Sequence, residues 1–331
     1  MFQTIWFILW GVLWAVYFAL DGFDLGIGVL RPAIGKTDEE KRQILSSISP
    51  LWNGNEVWLI TAGGATFAAF PVTYALMFSY LYTPLLLILF SLILRGVAVE
   101  FIGKSEKPQW QSGWSAALFL GSLAPALLFG VAFGNIFQGL PMDAQGYHGS
   151  LLMLLNQYGI LTGALFVLMF LVHGALWLSM RTEGGISRKA AGVAGRLWYP
   201  LLAATLLFLI DTAFATNLYA NYLRYPALLI LPLAAAISLL AIKLFQLKER
   251  HAKAFYASLA FILTLVLTGV GGLYPELIPS SIDPAYGLNI NNSSSSVYTL
   301  RIMTIVAVLF VPVVIAYQAW VYRVFGRKTG Q

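Results

Sequence analysis

The sequence predicts an all-α polytopic membrane protein that forms a single membrane domain over residues 1–331. Hydrophobic residues make up 59% of the chain and charged residues only 10%, whereas soluble domains carry about 25% charged residues. The mean hydropathy is +0.77. In addition, nine apolar runs are each long enough to cross a bilayer. The net charge of +6 follows from the loops described below, so it does not indicate nucleic-acid binding.

The nine apolar runs predict nine transmembrane helices. A membrane-spanning helix needs about 20 predominantly apolar residues, and each run approaches or exceeds that length. The third run contains Pro84, which predicts a kink or a tilt. The runs occupy residues 4–30, 51–70, 73–101, 114–138, 155–180, 197–217, 224–246, 254–274 and 297–323.

Basic residues predict the orientation of the chain. Of the 20 Lys and Arg residues, all but Arg95, Arg224 and Arg301 lie in alternate loops, in the C-terminal tail or at adjoining run ends. Cytoplasmic loops carry the excess of Lys and Arg, so this side is predicted to be cytoplasmic. The N-terminus is therefore expected outside and the C-terminus in the cytoplasm. We call the predicted cytoplasmic side the inner side and the opposite side the outer side.

The loops are short, and none can hold a soluble domain. Residues 37–40 read Thr-Asp-Glu-Glu, which fits a capping box and predicts a surface helix from about residue 38 to residue 46. The outer segment 275–297 is rich in Pro, Gly, Asn and Ser, which predicts irregular structure. The chain contains no Cys, which excludes disulfides and thiolate metal sites.

The second run brings polar groups into the membrane. Ser49-Pro50 predicts its helix start, because Ser can cap a helix and Pro suits the first turn. Asn53, Asn55 and Glu56 follow within two turns. A charged side chain at the centre of a membrane helix costs about 2.5–3.5 kcal/mol, so Glu56 is expected to face protein or water. The small segment Gly63-Gly64-Ala65 predicts close approach of a neighbouring helix.

Four consecutive runs place polar groups at one depth near the inner side. Asp21 and Asp24 are three residues apart, so they share one helix face. Because successive runs alternate in direction, the inner ends of the next three runs reach the same level. Those ends contribute Trp52, Asn53, Glu56, Arg95, Glu100, Trp114 and Ser115.

This layer allows two interpretations. Carboxyl groups that are close together and partly buried titrate as a coupled set and can pass protons through intervening water, which would make a path from the cytoplasm. Alternatively, Arg95 pairs with Glu100 or Asp24, and the charges only hold the helices together. Both interpretations remain open on the residues alone.

Three further polar residues are predicted to be structural. Asp211 and Arg301 lie near the outer ends of their runs, and His173 lies inside the fifth run. The other two His residues belong to loops on opposite sides, so no second strong ligand is expected opposite His173. A hydrogen-bonded interior His is therefore predicted, rather than a haem or metal ligand.

Three blocks of sequence resemble one protein family. They are DGFDLGIG in the first run, SPLWNGNEVWLITAGGATFAAFP around the second, and GVAFGNIFQGLP at the end of the fourth. Together with the nine predicted spans and RVFGR near the C-terminus, they resemble subunit II of cytochrome bd-type quinol oxidases over most of the chain. The resemblance implies two four-helix bundles, here 1–138 and 155–274, and a ninth helix at 297–323.

The resemblance also implies an activity and partners. Such an enzyme is a terminal oxidase of the bacterial inner membrane that oxidises quinol, reduces dioxygen to water and takes the protons for water from the cytoplasm. The two b haems, the d haem and the quinol site belong to subunit I. Subunit II binds none of them, stabilises subunit I and lines a cytoplasmic proton path. Some members add a small single-span third subunit, and in some subunit II holds a structural quinone.

The family's proton-path residues carry over only in part. Its acid in the DGFD motif falls on Asp24, and its tryptophan falls on Trp52. Asn53 and Ser115 stand where some members have acids, whereas Glu56 stands where some have Gln. The predicted proton-path residues are Asp24, Trp52, Asn53, Glu56, Glu100 and Ser115, with Asp21 and Arg95 in support.

Two other classes of function compete with this hypothesis. The first is a proton-coupled transporter that uses the same acidic layer. Transporters commonly have inverted repeats and broken helices near the middle of the membrane, whereas the polar residues here lie nearer the inner side. The second is a structural scaffold in which every acid belongs to a static ion pair.

Overall fold

The computed structural model describes residues 1–325, which form mainly α-helices. Four short strands, β1 (Met142–Asp143), β2 (Gly146–Tyr147), β3 (Glu276–Ile278) and β4 (Leu288–Asn289), make two antiparallel pairs in the outer loops. Arg327 and Lys328 of the basic tail, and the end of the RVFGR block, lie outside the described residues. The helices are α1 (Phe2–Ile34), α2 (Asp38–Ser46), α3 (Trp52–Ala69), α4 (Pro71–Tyr80), α5 (Tyr82–Phe101), α6 (Pro108–Gln138), α7 (Gln157–Arg181), α8 (Gly184–Ala215), α9 (Tyr219–Arg224), α10 (Ile230–Leu247), α11 (His251–Leu273) and α12 (Val297–Val324).

Within residues 1–325, eight helical segments are long and apolar enough to cross a membrane by themselves, namely α1, α5 to α8 and α10 to α12. A ninth span results if α3 and α4 are counted together, although the helix direction bends by 119° at the break between them. These observations confirm an all-α polytopic membrane protein with eight to nine candidate spans. The exact count of nine, the two bundles at 1–138 and 155–274, the separate helix 297–323 and the orientation stay predictions.

Two prolines accompany breaks between helices: Pro71 lies between the second and third runs, and Pro84 lies within the third run. Phe70 precedes Pro71, whose ring disfavours helical conformation at the preceding residue, and Phe70 has φ −133° and ψ 64°. The third run, predicted as one helix kinked at Pro84, instead consists of α4 and α5, which separate at Leu81. In a continuous helix the ring of Pro84 would clash with the carbonyl four residues earlier, so the break lies about one turn before it.

The two predicted helix starts have different outcomes. Thr37 Oγ1 accepts a hydrogen bond from the Glu40 backbone N–H at 3.2 Å, which confirms the Thr37 cap and the surface helix α2. The other half of the predicted capping box differs, because Glu40 Oε2 accepts from the Lys36 N–H and not from that of Thr37. The start predicted at Ser49-Pro50 is wrong. Ser49 Oγ donates instead to the Leu45 carbonyl at 2.9 Å, so its hydroxyl belongs to the preceding turns, and α3 begins at Trp52 without a side-chain cap.

The outer segment predicted to be irregular is partly ordered by the β3–β4 pair, in which Ile278 pairs with Leu288. Leu140 lies in the outer loop between α6 and α7. Its backbone N–H donates to the Pro279 carbonyl at 2.9 Å, so this loop contacts the segment that contains β3 and β4. The two outer loops therefore lie side by side.

α1 is the central helix and contacts α3, α6, α7 and α11. Two glycines allow its backbone to cross that of α7 closely. A Cβ added to Gly26 would lie 1.9 Å from the Phe170 carbonyl oxygen, and one added to Gly174 would lie 2.8 Å from the Ile27 nitrogen. Contact between backbones at small residues is a common way for membrane helices to associate.

The prediction that a neighbouring helix approaches α3 closely at Gly63 and Gly64 is wrong for the described residues. At Gly63 and Gly64, no described atom lies within 4 Å of an added Cβ. Gly63 and Gly64 therefore face away from the rest of residues 1–325, whereas Ala62 and Ala69 of the same helix are buried.

α12 lies at the edge of the protein and is held near its two ends. At the outer end, Trp6 Nε1 donates to the Leu300 carbonyl at 3.1 Å and to Thr304 Oγ1 at 3.0 Å. At the inner end, the Tyr322 ring meets Trp177 edge-on, with 6.1 Å between ring centroids. Every residue from 308 to 317 between these ends is exposed.

Candidate functional site

A cluster of charged side chains joins α1, α3 and α5 near the inner side. Arg95 Nη2 donates to Asp21 Oδ1 at 2.8 Å and to Glu56 Oε1 at 2.6 Å. Asp24 lies one turn further along α1 and belongs to the same group, which we call the acid cluster: Asp21, Asp24, Glu56 and Arg95. The structure thus brings together three acids and one cation that the sequence placed in one layer.

Asn55, which was not among the predicted site residues, binds Asp24 of the acid cluster. Its Nδ2 donates to Asp24 Oδ2 at 2.7 Å. Its Oδ1 accepts from Tyr322 OH at 2.7 Å and from Gln318 Nε2 at 3.3 Å, both on α12. Asn55 is adjacent to Glu56 and fully buried, and the side chain of Glu56 is 22% exposed.

The local sequence explains how the helices bring these groups together. Asp21 and Asp24 share a face of α1 because they are three residues apart. Gly96 makes room for the half-buried Trp52, whose ring atoms would lie 3.1 Å from a Cβ there. Gly121 lets α6 approach α5, because a Cβ there would lie 2.8 Å from the Arg95 backbone nitrogen.

The acid cluster is buried but not fully hydrogen-bonded by protein. Asp21, Asp24 and Arg95 are at most 2% exposed. Asp21 Oδ2, Asp24 Oδ1, Arg95 Nε, Arg95 Nη1 and the hydroxyl of Tyr17 have no partner within residues 1–325. Buried polar atoms almost always have a partner, and where protein supplies none, buried water commonly does. The acid cluster therefore contains buried polar atoms that its own helices leave without a hydrogen-bond partner.

The other predicted residues lie outside this cluster. Asn53 and Glu100 are exposed. Glu100 shares a shallow groove of about 450 Å³ with Trp52 and Glu56 on the outside of α3 and α5. Ser115 Oγ accepts from Arg31 Nη1 at 2.9 Å and makes a separate contact between α1 and α6.

The predicted pairing of Arg95 with Glu100 or Asp24 is wrong. Arg95 is buried and faces α1 and α3, whereas Glu100, five residues further along α5, is exposed. The positions are about 140° apart around a helix of 3.6 residues per turn, so both side chains cannot face the same neighbour. Asp24 is bound by Asn55, and the partners of Arg95 are Asp21 and Glu56.

His173 is a hydrogen-bonded interior residue, as predicted. Its Nδ1 lies 2.6 Å from Ser258 Oγ and its Nε2 lies 3.0 Å from the Ala19 carbonyl oxygen. The ring stacks on Phe255, with centroids 4.6 Å apart. Both nitrogens are engaged and the residue is fully buried, so His173 does not fit the role of an axial haem ligand.

Asp211 and Arg301, which were predicted to be structural, lie at the periphery. Asp211 Oδ2 is 3.5 Å from Gln157 Nε2. Arg301 is exposed on α12. Across residues 1–325, no group of three or more His, Cys, Asp or Glu residues is placed to hold a metal ion.

Comparison with known proteins identifies the family. The profile of the family described as cytochrome bd terminal oxidase subunit II matches residues 2–325. The chain belongs to this family. A bd oxidase subunit is an oxidoreductase component of a respiratory chain, and membership does not favour the proton-coupled transporter.

Relatives in several bacteria align with the whole chain. Cytochrome bd-I ubiquinol oxidase subunit 2 of Escherichia coli K12 is 36% identical over 360 residues, covering 99% of this chain and 95% of the relative. Cytochrome bd ubiquinol oxidase subunit 2 of Bacillus subtilis is 35% identical over 330 residues, covering 98% and 96%. The probable cytochrome oxidase subunit 2 of Haemophilus influenzae is 36% identical over 357 residues, covering 98% and 94%.

A solved structure shares the fold. A chain in the structure of bd oxidase from Geobacillus thermodenitrificans superposes with a TM-score of 0.79, and the alignment covers 98% of both chains at 18% sequence identity. At this identity the similarity concerns the fold alone. The helical arrangement of this chain is therefore that of a bd oxidase chain.

Proposed function

We propose that this chain is the haem-free subunit of a bd-type quinol oxidase in the bacterial inner membrane. In this proposal, its partner is a haem-bearing subunit I that holds the two b haems and the d haem, and the complex oxidises quinol and reduces dioxygen to water. The chain stabilises subunit I and carries protons from the cytoplasm. Family membership supports the oxidase assignment, and the engaged nitrogens of His173 support a chain without haem. A third subunit and a structural quinone stay predictions.

The acid cluster is the observation that supports proton transfer. Glu56 is its most exposed member and lines the groove that Trp52 and Glu100 also line, so in this proposal protons enter the cluster at Glu56. Arg95 Nη2 bridges Glu56 to Asp21, and Asp24 lies one turn further along α1. Three carboxyl groups face one guanidinium, so the cluster contains proton-accepting sites that Arg95 does not neutralise.

The unpartnered buried atoms supply the connections between these acids. Asp21 Oδ2, Asp24 Oδ1 and Tyr17 OH lie along the same side of α1. Water that satisfies them would link Asp21 to Asp24 by hydrogen bonds, and such chains can carry protons. The haems of the partner supply the oxygen chemistry when bound, and the residues of this chain hold and pass protons.

We expect Asp24→Asn and Glu56→Gln to slow oxidase turnover in the purified, fully haem-loaded complex. Each change removes one proton-accepting carboxyl group but keeps side-chain size. Loss of a positioned proton-transfer group typically costs about 10²–10⁴-fold in rate, and we expect the lower end of this range because neighbouring acids remain. The measurement is quinol-driven oxygen consumption together with haem content by absorbance.

The matched control is Glu106→Gln, which makes the same chemical change at an exposed residue of the loop between α5 and α6. Its turnover should equal that of the unmodified complex. Unchanged turnover in the Asp24→Asn/Glu56→Gln double variant would defeat the proton-path assignment. Loss of haem in that variant would instead support the scaffold hypothesis.

A further inference from the structure

The inner end of α12 is hydrogen-bonded to the acid cluster through the side chain of Asn55. Tyr322 OH and Gln318 Nε2 both donate to Asn55 Oδ1, and Asn55 Nδ2 donates to Asp24 Oδ2. Gln318 and Tyr322 are four residues apart and therefore lie on one face of α12.

The orientation of the Asn55 amide decides what Asp24 encounters. The two ends of an Asn amide have nearly the same shape, so only hydrogen-bond partners select which end faces each neighbour. Here two donors occupy the oxygen, which leaves the NH₂ group for the carboxyl group of Asp24. A rotated amide would present its oxygen to a carboxylate oxygen, which is repulsive.

We propose that Tyr322 and Gln318 are positioning residues for Asp24 and act on it through Asn55. By holding the Asn55 oxygen, they keep its NH₂ group directed at Asp24 Oδ2. This inference deepens the proposed proton path and depends on it for its effect on turnover. The positioning itself is a statement about geometry and is tested separately.

The packing of α12 explains why its hydrogen bonds to Asn55 matter for the position of the helix. Residues 308–317 are exposed, so apolar packing against this chain does not hold the middle of the helix. The inner end is fixed by the Asn55 hydrogen bonds, by the edge-on contact of Tyr322 with Trp177, and by the hydrogen bond of Arg181 to the Phe325 carbonyl. A displacement of α12 near residue 320 would therefore release Asn55 and alter the surroundings of Asp24.

The test uses the intact oxidase complex and infrared difference spectroscopy. The carboxyl bands of Asp24 are assigned by their loss in Asp24→Asn. Tyr322→Phe removes the hydroxyl but keeps the ring against Trp177, and Gln318→Leu removes the other donor. We expect both variants to shift the Asp24 bands and to lower turnover by about three- to tenfold, as the loss of one hydrogen bond implies.

The matched control is Tyr317→Phe, which removes a hydroxyl from an exposed position of the same helix. It should leave both the bands and the turnover unchanged. Unshifted Asp24 bands in the Gln318→Leu/Tyr322→Phe double variant would overturn the proposal. If Tyr322→Phe reduces haem content, the test uses Gln318→Leu alone, and unshifted Asp24 bands in that variant overturn the proposal.

The two proposals fail differently. If Asp24→Asn keeps full turnover, the proton path fails, but a band shift in Tyr322→Phe still establishes positioning. If Asp24→Asn slows turnover and the bands stay fixed in the double variant, the path holds and positioning fails.

Discussion

Arg95 Nη2 donates to carboxyl oxygens on two different helices, so one nitrogen atom links α1, α3 and α5. Asp21 and Arg95 are almost fully buried, whereas Glu56 is partly exposed. A buried ion pair contributes little compared with a well-packed apolar pair, but removing one partner leaves an uncompensated charge. Arg95 is therefore needed mainly because Asp21 is present.

The burial of Asp21 beside Arg95 predicts how Arg95 variants change stability. Arg95→Leu should lower the free energy of unfolding by about 3–5 kcal/mol, because it leaves the buried Asp21 without its cation. The Asp21→Asn/Arg95→Leu double variant should regain part of this loss. Thermal unfolding of the purified complex provides the measurement, with Arg301→Leu at an exposed position as the control. Equal stabilities of the single and double variants would contradict the prediction.

At the residue scale, the sequence predicted the members of the acid cluster better than their partners. The three-residue spacing of Asp21 and Asp24 was sufficient to place them on one face. The choice between Glu56 and Glu100 as the partner of Arg95 depends on the rotation of α5 against α3, which no local pattern specifies. Tyr322 is 267 residues from Asn55, so their contact depends on the tertiary fold alone.

At the scale of elements, the crossing of α1 and α7 depends on Gly26. Gly26→Ala places a methyl group where the Phe170 carbonyl oxygen lies, so the helices must separate. We expect a loss of about 1–3 kcal/mol, the usual range for overpacking. Gly63→Ala makes the same change on α3 where no described atom is near, and it should cost much less. Similar losses in thermal stability for both variants would contradict this interpretation.

The inner loops are joined by an ion pair between α2 and α8 whose effect should depend on pH. Lys189 Nζ lies 2.7 Å from Glu40 Oε1, and the Lys36 backbone N–H donates to Glu40 Oε2 at 2.7 Å. The hydrogen bond from Lys189 lowers the pKa of Glu40 below its usual value of 4.5. A lowered pKa in the folded protein stabilises it above the unfolded pKa, and this contribution is lost as the pH falls through the folded value.

Glu40→Gln should therefore lower the melting temperature only slightly near pH 7, since Lys189 is exposed and Glu40 is partly exposed. The difference from the unmodified protein should shrink as the pH falls below 4.5, where Glu40 itself becomes protonated. Melting curves across this pH range provide the measurement. Glu39→Gln, on the neighbouring exposed residue, is the control, and a difference that grows at low pH would contradict the assignment.

Helix boundaries were predictable where one side chain decides them. The capping box at Thr37 gave α2 correctly, because the Thr hydroxyl and the N–H three residues later form a local pair. Ser49 carries the same signal, but its hydroxyl is already bound to the preceding turn. Pro84 indicated a distortion, and the clash rule for the residue four positions earlier would have placed the break correctly.

At the scale of the whole molecule, composition and hydropathy were sufficient for the class and for eight to nine candidate spans. The quoted sequence blocks were sufficient for the family, which the family profile confirms. The arrangement of the helices could not be read in the same way. It depends on contacts such as Gly26 with Phe170, which join segments more than a hundred residues apart and leave no periodic signal.

The order of the helices along the chain has a consequence for biosynthesis. Asp21 belongs to α1, which is synthesised before α5, and its counter-ion follows 74 residues later. Until α5 arrives, the nascent chain must hold an acidic group near lipid without the cation that pairs with it in the folded protein. Insertion of α1 and recruitment of α5 are thus coupled steps, and a ribosome-stalled fragment ending before Arg95 should remain next to the insertion machinery and release only when that arginine has been synthesised.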